Sequence, residues 1–237
     1  MSTATTMEED TILMWSMGLM NPLVFLHSND TLRETILSSQ GRAGSYRYLR
    51  RCFQVLHSKY PRDIRLRLKS PFHSLYLDAL YREFPDARVI TIHREPQDVV
   101  DSWISFLSRV AVSTFKKNSF TMQEFSNPQI RFLEKSAEVM TKLYRDPSSH
   151  RSANHLAVSF PEFVKAPIQT IEDIHNFFGL SELTASDKRN LHGFLTQKES
   201  QKTTRPKFTL EELGIEAGDL KRRFSQYEEV FGHIYKG

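Results

Sequence analysis

Apolar and polar positions along this chain follow two rhythms, and the change from one to the other divides it. In the first sixty residues the rhythm is helical. Tyr46, Leu49, Phe53, Leu56 and Tyr60 recur at steps of three and four, which places them on one face of a helix. Ahead of it, Thr5 with Glu8 forms a capping-box pattern, opening a helix predicted to stop near Asn21-Pro22. A second helix is expected from Asp30 to just before Gly41. None of these three segments carries a chemical motif.

At Ile64 the period drops to two. Ile64, Leu66 and Leu68 alternate with Arg65, Arg67 and Lys69, the pattern of a half-buried strand. Ser70-Pro71 then predicts a helix start, with Ser as N-cap and Pro at the first helical position. Leu75, Tyr76, Ala79 and Leu80 give that helix its apolar face, and Phe84-Pro85-Asp86 ends it. A second strand is expected over Ala87 to Ile92, turning through His93-Arg94-Glu95-Pro96 into a further helix. Strand, helix, strand, helix from Ile64 to Leu107 is the parallel unit of an α/β fold.

Residues 111–127 read as a loop, followed by a helix starting at Asn127-Pro128 and carrying Leu133, Ala137, Met140 and Tyr144. A polar loop spans Asp146 to Asn154, and His155 to Phe160 is a third strand. Pro167 to Phe178 reads as a helix closed by Gly179, and Thr184 with Asp187 caps another. A basic loop runs from Lys198 to Lys207, and Leu220, Phe224, Tyr227 and Phe231 define the apolar face of the last helix.

Composition narrows the class. The 237 residues, 39% apolar and 25% charged, suit one globular α/β domain, with residues 1–60 as a helical part and 61–237 as the core. The net charge of +4 is small and spread along the chain, which argues against nucleic acid as partner and suits a small anionic ligand. Cys52 is the one cysteine, so neither an intrachain disulfide nor a thiolate zinc cluster can form, in keeping with a reducing, cytoplasmic setting. The apolar stretch from Ile12 to Leu26 is too short for a membrane span, and no signal peptide is expected.

In a parallel sheet, ligands bind at the carboxyl ends of strands, beside the N-termini of the following helices. Two clusters occupy such positions: Lys69-Ser70-Pro71-Phe72-His73, and His93-Arg94-Glu95-Pro96 with Ser102 further into the helix. Free amide groups and the guanidinium fork of Arg94 suit an anion there. On spacing alone, Arg94 pairing with Asp98 is as open as anion binding, while Lys69 solvated at a strand end and His73 as a neutral, hydrogen-bonded helix-start residue are the default readings.

Taken together, Leu68-Lys69-Ser70-Pro71-x-His73, Phe84-Pro85-Asp86-Ala87-Arg88, and His93-Arg94-x-Pro96-x-Asp98-Val99-Val100-x-Ser102 resemble the core of the sulfotransferase family. Val158-Ser159-Phe160 with Ala166-Pro167, then Phe208 to Ile215 and Arg223-Phe224-x-x-Tyr227, extend the likeness to the C-terminus. The resemblance implies a P-loop-NTPase-like fold and transfer of sulfonate from 3′-phosphoadenosine 5′-phosphosulfate to a hydroxyl or amine on a small molecule or glycan, without a metal. It implies that Arg94 and Ser102, eight residues apart as in the family, bind the 3′-phosphate. Lys69 matches the strand-end lysine near the transferring group. The family's histidine base stands two residues after that lysine, whereas His73 stands four after it. Phe160 stands where the family often has a tyrosine near the adenine.

One element of the family pattern is missing. Sulfotransferases ordinarily open with a strand and a P-R-S-G-T-T-type loop whose amides hold the 5′-phosphosulfate, and this sequence has none. The expected fold is therefore an N-terminally incomplete version, with sheet edges covered by the first helices or by a partner chain in a homo-oligomer. Three readings follow: an enzyme using Lys202, Arg205 and Lys207 as replacement donors, a nucleotide-binding homologue impaired in transfer, or a partial chain.

Overall fold

The computed structural model describes residues 30–38, 42–58, 67–114, 116, 120–146, 154–200 and 208–236. The helix expected over Thr5 to Asn21, the first half of the strand expected at Ile64, and Lys202, Arg205 and Lys207 lie outside the described residues. The chain forms two compact units. One takes the described residues up to Ala87 together with Arg131–Arg145, and the other takes Arg88–Ile130 and the rest of the chain.

The first unit is helical. Helices α1 (Asp30–Leu37) and α2 (Arg42–His57) precede a 3-10 turn at Pro71–Leu75 and helix α3 (Leu77–Glu83). Tyr46 and Leu49 of α2 are fully buried, as their spacing predicts, along with Leu75, Tyr76, Ala79 and Leu80. The Ser70-Pro71 start holds: the Ser70 hydroxyl accepts from the Phe72 amide at 3.3 Å, with Pro71 following. The strand expected ahead of it does not extend into Arg67–Lys69, which pair with no strand and whose side chains are exposed. Alternation specifies two faces, but a strand also needs a neighbour to take its amide hydrogen bonds.

The second unit carries the sheet. Strand β1 (Val89–His93) pairs in parallel with β2 (His155–Ser159), in a register that sets Thr91 opposite Ala157 and His93 opposite Ser159. Helix α4 (Pro96–Thr114) follows β1, burying Val100, Ile104 and Leu107 along one stripe. Helix α5 (Met122–Arg145) comes next, its first part in this unit and the remainder in the other. It starts five residues before the expected Asn127-Pro128, because Thr121 and Glu124 form a reciprocal capping box: the Thr121 amide donates to the Glu124 carboxylate at 2.7 Å, and the Glu124 amide to the Thr121 hydroxyl at 3.2 Å. Pro128 consequently sits inside the helix. An interior proline costs about 3 kcal/mol, and burial of Phe125 and Ile130 on the same stretch works against that cost.

Strand β2 ends one residue earlier than expected. The Ser159 hydroxyl caps a short helix α6 (Phe160–Lys165) by accepting from the Glu162 amide, so Phe160 opens a helix rather than closing a strand. Helix α7 (Pro167–Phe177) ends at Gly179, whose φ of +57° favours glycine. Helix α8 (Ala185–Ser200) carries the Thr184–Asp187 capping box that its sequence announces. The last predicted helix is two, α9 (Ala217–Arg223) and α10 (Ser225–Tyr235), with a turn at Phe224. All four of its expected core residues, Leu220, Phe224, Tyr227 and Phe231, are buried.

The loop before α9 locks onto the start of α5. Leu213 is fully buried, and its carbonyl accepts from the Ser126 hydroxyl at 2.9 Å. Gly214 has φ +68°, and a Cβ there would stand 2.8 Å from Gln123 Cγ. The left-handed backbone favours glycine at that point, and a larger residue would also have to push the Gln123 side chain aside.

Candidate functional site

Arg94 leaves the carboxyl end of β1 two residues before Pro96 opens α4, which sets it at a strand-to-helix junction. Its guanidinium lies over the Phe160 ring, 4.6 Å from the centroid, so the first residue of α6 supplies a flat apolar floor. Nη2 donates to Asp98 at 2.8 Å, across one turn of α4. The structural pairing with Asp98 is thus realised. It does not consume the guanidinium, because the Nε–H is buried and has no hydrogen-bond partner among the described residues. A buried charged donor left unpaired is costly, and a second anion presented to this fork would satisfy it. Ser102 lies one turn beyond Asp98 on the same helix and is half-buried.

Beneath Arg94 lies a buried polar chain that the sequence did not reveal. His93 is 1% exposed and stacks on Phe231, with ring centroids 4.1 Å apart. Its Nδ1 is 2.9 Å from the Tyr227 hydroxyl, and its Nε2 is 2.8 Å from the Thr91 hydroxyl. Thr91 in turn lies 2.9 Å from His155 Nε2, linking β1 to β2. Burial pushes the His93 imidazole down to about 3, with the charge of His155 as a second cause, so the ring is neutral. Burial raises the Tyr227 phenol well above its ordinary value. Tyr235 adds to that rise, and the nearby backbone amide of Arg94 opposes it. Only the Arg223-Phe224-x-x-Tyr227 motif hinted at this side of the site; a pairing across 134 residues has no local signature.

The other cluster belongs to the first unit. His73 lies in the 3-10 turn, with Nδ1 2.9 Å from the Tyr46 hydroxyl and the two rings tilted at 33°. Lys69 is exposed, in the extended residues just before Ser70. The structure therefore brings Arg94 and Phe160 together in one unit and holds Lys69 and His73 in the other. Among the described residues, no group of three His, Cys, Asp or Glu side chains could hold a metal ion.

A parallel strand end carrying a part-satisfied arginine beside a helix start is the mark of an α/β protein with a cationic strand-to-helix junction. The Sulfotransferase family model, Sulfotransfer_3, matches residues 20–184, more than half of the chain, so the protein belongs to the sulfotransferase family. Sulfotransferase STF9 from Mycobacterium avium has a similar fold, with a TM-score of 0.79 at 20% identity over 94% of this chain and 55% of that one. Sulfotransferase STF1 from Mycobacterium tuberculosis H37Rv aligns with a TM-score of 0.68, also at 20% identity, over 92% of this chain and 54% of that one. The chain thus spans little more than half the length of either. No curated protein sequence matches it. Among the described residues, no helix is long and apolar enough to cross a membrane.

Proposed function

We propose that the chain acts as one sulfotransferase-like domain that binds 3′-phosphoadenosine 5′-phosphosulfate through Arg94. The observation that carries this reading is the guanidinium itself, seated on Phe160 at the end of β1 with a buried, unpartnered Nε. A dianionic 3′-phosphate meets Nε and the remaining arm of the fork, which Asp98 alone cannot fill. Ser102, on the Asp98 face of α4, contributes a hydroxyl to the same anion.

In the transfer, an acceptor oxygen or nitrogen forms a bond to sulfur as the bond from sulfur to the 5′-phosphate oxygen breaks. Adenosine 3′,5′-bisphosphate departs and the acceptor proton goes to a base. We assign that base to His73, and to Lys69 the neutralisation of charge developing on the leaving oxygens. For His73 to accept a proton at Nε2, its Nδ1–H must donate to the Tyr46 oxygen, 2.9 Å away. Tyr46 then fixes both tautomer and ring orientation, as a base requires. The acceptor is a small molecule or glycan bearing a hydroxyl or amine.

Calorimetry with adenosine 3′,5′-bisphosphate tests the reading. Arg94→Ala should weaken binding by about 10- to 150-fold, from ~1.5–3 kcal/mol for a hydrogen bond to a charged group. Unchanged affinity in a folded Arg94→Ala protein refutes the assignment. A radiolabelled-sulfonate assay over phenols, alcohols, amines and sugars identifies the acceptor class.

A further inference from the structure

Tyr227 stands 134 residues from His93 in sequence, yet its phenol oxygen lies 2.9 Å from the Nδ1 of His93, the residue before Arg94. From His93 the contacts continue, Nε2 lying 2.8 Å from the Thr91 hydroxyl and that hydroxyl 2.9 Å from His155 Nε2. A neutral imidazole has one donor and one acceptor nitrogen, so His93 engages Tyr227 with one and Thr91 with the other, and the chain of contacts runs from α10 through β1 to β2.

We propose that Tyr227 and His93 are positioning residues that hold the Arg94 end of β1 rigid for anion binding. The inference rests on the reading of Arg94 given above. Phe231 stacks on one side of His93, and Tyr227 also lies against the ring at 5.7 Å, so the imidazole has one seat. An apolar filler would stabilise this position as well as a buried imidazole does, since burying polar groups gains little net energy. What the polar chain adds is direction: His93, the residue before Arg94, is tied by a side chain from α10 in addition to its own strand. A binding arginine misplaced by even 1 Å loses much of its effect.

Tyr227→Phe removes one oxygen and keeps the ring. Its affinity for adenosine 3′,5′-bisphosphate should fall about 5- to 15-fold, the scale of one hydrogen bond to a charge-bearing segment. In an Arg94→Ala background the same change should cost nothing further, because both act through one guanidinium. Thr91→Val breaks the chain one link further along and should give a smaller loss, about 2- to 5-fold, which keeps the idea testable if Tyr227→Phe fails to fold. Full affinity in Tyr227→Phe and Thr91→Val, with Arg94→Ala impaired, overturns the positioning role and leaves the Arg94 reading intact. An additive loss in the double variant also overturns it, as that is what general destabilisation produces. If Arg94→Ala binds as well as the unaltered chain, the underlying reading fails and this one with it.

Discussion

Two junctions in this molecule lead from extended backbone into a helix, and they are built on different physical terms. At the first, Arg67–Lys69 are exposed, Ser70 caps a 3-10 turn, and the ring of His73 is gripped by one phenol, that of Tyr46. At the second, Arg94 follows a paired strand, rests on an aromatic floor, and sits above a hydrogen-bonded chain that reaches both neighbouring elements. The difference separates two kinds of task. A group that must meet a fixed anion profits from a rigid backbone. A group that must pick up a proton needs its tautomer controlled but its outer nitrogen accessible.

The largest expected effect tests that division at the first junction. His73→Ala should lower turnover about 10²- to 10⁴-fold, the scale of losing a general base, while affinity for adenosine 3′,5′-bisphosphate stays within about twofold. Single-turnover kinetics beside calorimetry checks it, and equal losses in both quantities return His73 to a structural role.

The second junction should carry an acid signature. Folded His93 titrates at about 3, below the value near 6.5 of an unfolded histidine. Between those limits the unfolded chain holds a proton that the folded one refuses. Stability therefore falls as the pH falls through about 6.5 towards 3, by at most ~1.4 kcal/mol per pH unit from this group. Urea unfolding between pH 4 and 7 should show a shallower slope in His93→Gln, and identical slopes would show that His93 does not titrate this way.

The smallest effect belongs to the cap of the first junction. Ser70→Ala removes one acceptor and should lower stability by about 1 kcal/mol, read as a shift in thermal midpoint. No change would mean that the 3.3 Å bond to the Phe72 amide contributes nothing.

Local chemistry was legible where one short segment contained all of its own reasons. Ser70-Pro71, Thr184 with Asp187, and Gly179 each hold their partners within a few residues, and each sits where expected. Thr121-x-x-Glu124 is equally readable, but Asn127-Pro128 offers a competing helix start, which the burial of Phe125 overrides. Ser159 shows a second limit: a β-rich run of His155 to Phe160 conceals that its serine already belongs to the next helix as a cap. Arg94 stands out as a candidate from spacing along one strand and helix, whereas Phe160 beneath it and Tyr227 against His93 are products of the sheet register and of α10. Neither is encoded within reach of Arg94 in the chain.

Gly214 has a consequence for the chain's mutational history. Two separate penalties act on any replacement, the left-handed backbone at φ +68° and the collision of a new Cβ with Gln123. Moving or shortening the Gln123 side chain relieves only the collision, so a second change there repairs part of such a loss and leaves the backbone penalty in place.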